Sequence, residues 1–402
     1  MNLFRTYQSQ ISFFFLCMWA IGMFIIDYAR IVPSIAMIGL ALSALLSVKP
    51  SLLFTNFKNN KSMLALSGTF LILLPSVFYS DNLKYFNEKL LLILPFFILS
   101  FAYASLPKLS ENKTRVLYLL FITGVLATSF MAFLFYLANQ AEVNQLYLES
   151  RVMPTWVSHH PTFSLMIALA GYFSYQLSKT EKTISLKIGL LISTFFLFIF
   201  IHIYSVRGGM LAMYALVFLE LYHIIVPKRD YKKAALSLTV CILMGGFTYY
   251  FSPTIRNKIA NTQNDLNNYQ QGKSANNQSL GSRFISWGNA IEISNQTSLF
   301  FGCGLGDIED LNNKIFKEKY PEIEKKIIPH NQFLYYLAAI GLIGTIIFAI
   351  CFYFPLFTNL SNRFLLAHYI VISIAFLGEA FLTTQLGAAF SLFFILLLSR
   401  KQ

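Results

Sequence analysis

Residues 187–227 read KIGLLISTFFLFIFIHIYSVRGGMLAMYALVFLELYHIIVP, so two apolar runs flank a short polar break. Each run approaches the roughly 20 apolar residues that an α-helix needs to cross the hydrocarbon core of a bilayer. The break contains Arg207, followed by Gly208 and Gly209. The stretch therefore predicts two membrane-spanning helices with a cation at the turn between them.

The same pattern extends along the whole chain. Of its 402 residues, 56% are hydrophobic and 12% are charged, whereas soluble domains carry about 25% charged residues. This composition excludes an ordinary soluble protein and predicts an all-α polytopic membrane protein. We expect about twelve transmembrane helices, and Thr383-Thr384 is such a weak break that the last two could form one hairpin with a very short turn. The predicted spans lie near residues 11–27, 31–48, 63–80, 88–106, 115–138, 161–178, 187–205, 209–227, 234–251, 332–354, 364–381 and 384–399.

These spans divide the chain into three regions. Residues 1–251 contain the first nine predicted helices, residues 252–331 form a long polar region, and residues 332–402 contain the last three. The apolar run near the N-terminus is followed by Asp27 and Arg30 rather than by a small-residue cleavage site. We therefore interpret it as an uncleaved first helix.

The basic residues predict how the chain lies in the membrane. About seventeen Lys and Arg residues fall on one set of helix ends, and only five fall on the opposite short loops. Because basic residues favour the cytoplasmic side, both termini are expected there, in a bacterial inner membrane. The polar region, the loop at 139–160 and the Arg207 turn then face the periplasm. The net charge of +13 is thus a topology signal, and nucleic acid is not expected as a partner.

Four segments of the polar region have distinct patterns. Residues 257–282 are rich in Asn, Gln, Ser and Gly, which predicts an irregular segment. Residues 302–307 (GCGLGD) predict a tight turn, but no strand precedes it, as a dinucleotide-binding fold would require. Residues 314–326 alternate in charge, as in a solvated helix. Finally, if residues 283–287 are helical, Arg283 and Trp287 lie on one face.

Two arginines are candidates for binding an anion. Nine basic and eight acidic residues make the polar region nearly neutral, so particular arginines must do the binding. Arg207 and Gly208 together could hold a diphosphate, since glycine lets backbone N–H groups approach it. The alternative is an arginine that reaches the membrane interface. Arg283 with Trp287 offers a bidentate cation beside a sugar-stacking face, or else an amphipathic interfacial helix.

The histidines are candidates for acid–base chemistry. His330 precedes Asn331 at the start of a predicted span, where it could deprotonate an acceptor hydroxyl or simply cap the helix. Asn331 and, on the same side, His160 are candidate substrate contacts. His160 adjoins His159, but adjacent histidines cannot share a helical face, so no metal site is expected.

Two further charged residues complete the set of candidates. Arg256 is either a substrate contact or an interfacial anchor. Glu379 is the most plausible buried acid and stands nearly alone in the sequence. A lone acid argues against an ion-coupled transporter, although it leaves a passive flippase possible.

Taken together, these motifs resemble the O-antigen ligase family. The segments that carry the resemblance are Arg207-Gly208, Gly281-Ser282-Arg283 with Trp287, Pro329-His330-Asn331, and Gly341-Leu342-Ile343-Gly344, in that order and on one predicted side. They span residues 160–350 approximately. Each motif is short, and the specificity lies in their combination.

The resemblance implies a metal-independent, inverting membrane glycosyltransferase of the GT-C type that needs no cofactor. Such an enzyme moves a glycan from undecaprenyl diphosphate to a sugar hydroxyl of lipid A–core at the periplasmic face. Arg207 and Arg283 would hold the diphosphate, and His330 would orient or deprotonate the acceptor. The same superfamily contains polysaccharide polymerases and protein O-oligosaccharyltransferases, which these donor-side motifs do not separate. A polysaccharide or lipid flippase is the alternative of another class.

Overall fold

The computed structural model describes residues 2–227, 229–271, 279–321, 323 and 327–399, and all regular structure in them is helical. The first eleven α-helices are α1 Asn2–Gly22, α2 Ile31–Ser47, α3 Pro50–Asn59, α4 Lys61–Leu71, α5 Leu83–Tyr103, α6 Glu111–Ala138, α7 Gln140–Leu148, α8 His160–Thr180, α9 Ile184–Tyr204, α10 Arg207–Ile225 and α11 Tyr231–Phe251. The remaining six are α12 Pro253–Gln270, α13 Ser279–Gln296, α14 Ile308–Lys319, α15 Gln332–Phe357, α16 Arg363–Gly378 and α17 Gln385–Leu398. The predicted all-α class is confirmed for these residues.

The predicted spans and the helices largely coincide. Each of the twelve predicted apolar runs overlaps one of these helices, with the run at 63–80 shared between α4 and a following 3-10 helix. Among the described residues, seven helical segments are long and apolar enough to cross a membrane, or eight if α2 and α3, bent by 114°, form one span. The total of twelve spans stays a prediction.

The core of the molecule lies around α8 and α17. Residues 386–399, which cover nearly all of α17, are buried, as are residues 162–174 of α8. A helix that is apolar on every face is stable only when other helices surround it. Interlocking rings fill the space between α6, α8, α16 and α17: Phe121, Phe173, Phe364, Phe390 and Phe394.

The connection between α16 and α17 places an acid at a helix end. Helix α16 ends at Gly378, and a 3-10 helix, Phe381–Thr383, leads into α17. Thr384 caps α17 by accepting a hydrogen bond from Gly387 N–H. The two helices are therefore separated by residues 379–384, and Glu379 is the first residue of that connection.

The polar region is more helical than its composition suggests. The irregular structure predicted for 257–282 is wrong for residues 257–270, which belong to α12; residues 272–278 lie outside the described part. The asparagines of α12 bond to neighbouring backbone, with Asn257 Nδ2 donating to the Asn144 carbonyl at 3.2 Å and Asn261 donating to the Tyr147 carbonyl. Tertiary contacts with α7 thus override a weak intrinsic helix preference.

The other predictions for this region are partly confirmed. Arg283 and Trp287 both belong to α13, as the helical interpretation requires. The alternating charges at 314–326 are helical only as far as Lys319, where α14 ends. Residues 322 and 324–326 of that segment lie outside the described part.

The predicted tight turn at 302–307 packs into a break in α15. Cys303 N–H donates to the Ala338 carbonyl at 2.8 Å, and Gly304 N–H donates to the Ala339 carbonyl at 2.9 Å. The break itself occurs at Gly341, whose φ of 68° and ψ of −177° are not helical. These backbone donors are therefore used to hold α15, which accounts for the glycines of the turn without a phosphate.

Candidate functional site

The centre of the candidate site is the carboxylate of Glu379. Its Oε1 lies 2.6 Å from Nη2 of Arg283, and its Oε2 lies 2.8 Å from Nδ1 of His330. The three residues come from the end of α16, from α13 and from the segment before α15. Folding thus brings two basic residues that are far apart in the sequence to the acid that was expected to be buried.

Helix α13 fixes the position of His330 through two consecutive side chains. Ser286 Oγ accepts a hydrogen bond from His330 N–H at 3.2 Å, and Trp287 Nε1 donates to the His330 carbonyl at 2.9 Å. Ser286 Oγ also donates to the Arg283 carbonyl at 2.8 Å. Trp287, predicted as a sugar-stacking residue, thus has a structural contact with the predicted base.

Asn331 and Gln332 bind the start of α15 to the end of α16. Asn331 Oδ1 caps α15 by accepting from Phe333 and Leu334 N–H, and its Nδ2 donates to the Leu377 carbonyl at 3.3 Å. Gln332 Oε1 accepts from Leu382 N–H at 2.8 Å. These bonds lie on either side of Glu379 and hold it beside His330.

The charges around Glu379 keep it ionised. Burial opposes ionisation of this carboxyl, but contact with His330 and the charge of Arg283 outweigh burial, so the pKa of Glu379 lies below its usual range. His159 is close enough to interact with Glu379 and His330. Burial lowers the pKa of His159, which favours its neutral form at pH 7, although Glu379 and Asp27 act in the opposite direction.

Arg207 begins α10 and contacts one face of α12. Its Nε and Nη2 donate to Thr262 Oγ1 at 3.0 and 2.6 Å, and Nη2 lies 3.6 Å from Oδ2 of Asp265. Asp265 Oδ2 also accepts from the N–H of Leu280 in the first turn of α13 at 3.1 Å. Asp265 therefore connects Arg207 to the helix that carries Arg283, and the two guanidinium groups repel each other across the site.

The two glycines after Arg207 differ in their surroundings. A Cβ added to Gly208 would have no atom within 4 Å outside its own helix, so this position lies beside open space. A Cβ on Gly209 would overlap Ser164 of α8. The close approach of α8 and α10 thus requires Gly209, whereas Gly208 leaves the backbone next to Arg207 accessible.

Two predicted site residues make their contacts elsewhere. His160 Nδ1, at the start of α8, lies 2.8 Å from the hydroxyl of Tyr204 at the end of α9. Arg256 donates to the carbonyls of Tyr249 and Tyr250 at the end of α11. These contacts account for both residues as local structural groups, and their predicted role in substrate binding stays a prediction.

Local sequence patterns indicate little about the partners of the arginines. Asp265 and Thr262 lie in a segment whose composition suggested irregular structure, and Glu379 lies 96 residues from Arg283. One signal was present, since an acid at the end of an apolar helix needs a partner. In the part of the chain that the structure describes, no group of three or more His, Cys, Asp or Glu residues could hold a metal ion.

Comparison with protein families finds a match that covers part of this site but not Glu379. Residues 192–349 match the model of a family described as O-antigen ligase. The match includes Arg207, Arg283 and His330 and confirms the resemblance predicted from their motifs. Comparison with curated proteins found no match.

Proposed function

We propose that this protein is an O-antigen ligase-type glycosyltransferase at the periplasmic face of the bacterial inner membrane. It would move a glycan from undecaprenyl diphosphate to a sugar hydroxyl of lipid A–core. The observation that carries the proposal is the contact of Glu379 with both Arg283 and His330. One cluster thereby offers a base for the acceptor and a cation for the leaving diphosphate.

His330 is the proposed base. An ionised Glu379 next to Nδ1 favours the tautomer with a proton on Nδ1, which leaves Nε2 as the basic nitrogen. The bonds from Ser286 and Trp287 fix the backbone of His330 on both sides of the side chain. A base that is oriented by a carboxylate and held by a rigid helix suits proton removal from a sugar hydroxyl.

Arg207 and Arg283 are the proposed donor-binding groups. A diphosphate in a diester carries about two negative charges, and guanidinium groups bind phosphate oxygens in bidentate fashion. The open space beside Gly208 would let the donor approach the first turn of α10, where N–H groups lack helical partners. Cations at this position stabilise the charge that develops on the leaving group, so the reaction needs no metal ion.

The proposed reaction is a direct displacement. The acceptor oxygen attacks the anomeric carbon while its proton passes to His330 Nε2. The bond from that carbon to the phosphate oxygen breaks, and undecaprenyl diphosphate leaves with the bonding electrons. Attack from the face opposite the leaving group inverts the anomeric configuration.

The proposal predicts that His330 is essential for turnover. Replacing His330 by Ala in the purified full-length protein should slow transfer by about 10²–10⁴-fold, the usual contribution of a general base. Glu379→Gln should also slow transfer, because the amide removes the negative charge beside Nδ1. The assay uses nanodiscs, an undecaprenyl diphosphate-linked glycan, lipid A–core as acceptor and EDTA in the buffer.

The matched controls lie outside the cluster. His223 bonds to the Leu219 carbonyl at 2.8 Å near the far end of α10, and Glu88 is exposed; His223→Ala and Glu88→Gln should therefore keep wild-type turnover. Full activity of His330→Ala would contradict the proposal.

Other products would identify the alternative functions. Transfer onto a second lipid-linked glycan would identify a polymerase, and transfer onto Ser or Thr of a peptide would identify a protein oligosaccharyltransferase. Lipid movement across vesicles without any product would identify a flippase.

A further inference from the structure

Lys258 is a buried cation that has no role in the proposed mechanism. It lies in α12 and is only 7% exposed, although lysines are almost never fully buried unless they are paired. Among the described residues, no hydrogen bond or ion pair of its ammonium group is found, and Nζ is not one of the fully enclosed polar atoms, so a ligand can reach it. A buried charge without a partner is costly unless a bound anion neutralises it.

Lys258 shares a helical face with the residues that hold Arg207. Thr262 and Asp265 follow it by four and seven residues, a spacing that places side chains on one face of a helix. Thr262 Oγ1 donates to the Lys258 carbonyl at 2.7 Å and accepts from Arg207 Nη2 at 2.6 Å. The face of α12 that contacts Arg207 therefore also carries Lys258.

The electrostatic surroundings of Lys258 contain more positive than negative charge. Burial, together with the charges of Arg207 on α10 and Arg283 on α13, lowers the pKa of Lys258 to about 8, although Asp265 on its own helix acts in the opposite direction. The other helices that pack on α12, which are α7, α9 and α11, add no charge to this environment. Three cations thus face two carboxylates, those of Asp265 and Glu379.

We propose that Lys258 is a third phosphate-binding cation, which acts with Arg207 and Arg283 to select a lipid diphosphate over a lipid monophosphate. This inference rests on the proposed function, because it assigns Lys258 to the donor of that reaction. Three cations and two carboxylates give the residues around Lys258 a net positive charge, which favours an anionic ligand. A diphosphate spreads its oxygens over two phosphorus atoms and can contact cations on three helices, whereas the oxygens of a monophosphate surround a single phosphorus atom.

Binding, rather than turnover, tests this inference separately from the function. The probes are undecaprenyl diphosphate and undecaprenyl monophosphate, titrated into the full-length protein in nanodiscs at pH 7. Lys258→Met should weaken diphosphate binding by about 10- to 100-fold, the loss expected for one charge-assisted hydrogen bond. Monophosphate binding should change by less, and Lys258→Arg should restore most of the diphosphate affinity. Lys314→Met on exposed α14 is the matched control.

Stability and pH supply a readout that a merely structural lysine would not produce. The pKa of Lys258 is about 8 in the folded protein and 10.5 in its ordinary state. Between these two pH values the unfolded chain binds more protons than the folded protein, so the stability of the fold rises with pH in that range. Without ligand, Lys258→Met should therefore raise Tm at pH 7, and this gain should shrink above pH 8. Wild-type affinity for the diphosphate should fall as pH rises through about 8, whereas the variant should show no such fall.

The outcomes separate the two proposals. Unchanged diphosphate affinity in Lys258→Met, or an equal loss for both lipids, overturns the assignment even if His330→Ala abolishes transfer. A lower Tm for Lys258→Met at pH 7 also overturns it, because that result indicates a packing role. Selective loss of diphosphate binding in a protein without transferase activity would support the Lys258 site and reject the proposed function.

Discussion

Glu379 contacts an arginine and a histidine at the same time, and each partner affects what the other can do. Arg283 favours the ionised carboxylate, and the ionised carboxylate orients His330. Arg283 has five N–H donors in a planar group, so binding Glu379 through Nη2 leaves other donors for a phosphate. Arg283 can thus contribute both to the donor site and to the orientation of the base.

The shifted pKa of Glu379 predicts how stability changes with pH. Because the pKa is lowered in the folded protein, the ionised carboxylate stabilises the fold above its ordinary pKa of 4.5, and this contribution is lost as pH falls through the folded value. Glu379→Gln should lower Tm at pH 7. The difference from wild type should shrink below pH 4.5, as measured by thermal unfolding in detergent at pH 7 and at pH 4.

The control for this prediction is a glutamate without buried partners. Glu149 is 46% exposed at its side chain and lies 3.8 Å from Arg151 at the surface, where an ion pair contributes about 0–1 kcal/mol. Glu149→Gln should therefore leave Tm nearly unchanged at both pH values. An equal Tm difference for Glu379→Gln at pH 7 and pH 4 would show that the carboxylate charge contributes nothing.

At the scale of the element, the break in α15 depends on one glycine. Gly341 has φ and ψ values that are essentially restricted to glycine. The break lets Leu342 N–H donate to the Leu299 carbonyl at 2.8 Å, so the segment before the 302–307 turn packs against α15. The N-terminal half of α15 follows Asn331 and thus helps to position His330.

Gly341→Ala should destabilise the protein considerably. The unfavourable backbone conformation alone costs about 1–3 kcal/mol, and the added Cβ would overlap the backbone of Phe300. We expect a lower Tm and a loss of transferase activity at temperatures where wild type is folded. Gly246→Ala is the control, since a Cβ there meets nothing within 4 Å and lies inside α11. The Tm of Gly246→Ala should be unchanged or higher, because alanine favours a helix. An equal Tm for the two variants would contradict the role of Gly341.

The helices could be predicted from the sequence much better than the pairing of charges. Apolar runs indicate helices because lipid-exposed backbone must satisfy its own hydrogen bonds, and each predicted run overlaps a helix. Local motifs indicate Arg207, Arg283 and His330 as candidates, and Glu379 as a buried acid. Their contacts with each other and with Asp265 cannot be predicted in this way, because they depend on how α10, α12, α13 and α16 pack. The helix at 257–270 was missed for the same reason, since its asparagines bind backbone carbonyls of other segments.

At the scale of the whole molecule, the distribution of charge predicts which face of the membrane carries the site. Helices α12, α13 and α14 lie in one polar region, and Arg207, Arg283 and His330 are brought together beside it. The excess of basic residues lies on the opposite helix ends. If basic residues face the cytoplasm, the whole cluster faces the periplasm, where a lipid-linked glycan would meet its acceptor.

Cysteine labelling can test this orientation with two exposed lysines. Lys317 lies in α14, and Lys182 lies between α8 and α9. The background replaces the four native cysteines, Cys17, Cys241, Cys303 and Cys351, by Ala. A membrane-impermeant maleimide should label Lys317→Cys in right-side-out vesicles and Lys182→Cys only in inverted vesicles.

The reverse pattern would place the cluster in the cytoplasm and reject periplasmic transfer. Labelling of both positions from one side would reject the predicted number of spans between them. The background protein without cysteines should remain unlabelled in both preparations, and it should retain activity because none of the four thiols contacts Glu379, Arg283 or His330 in the described structure.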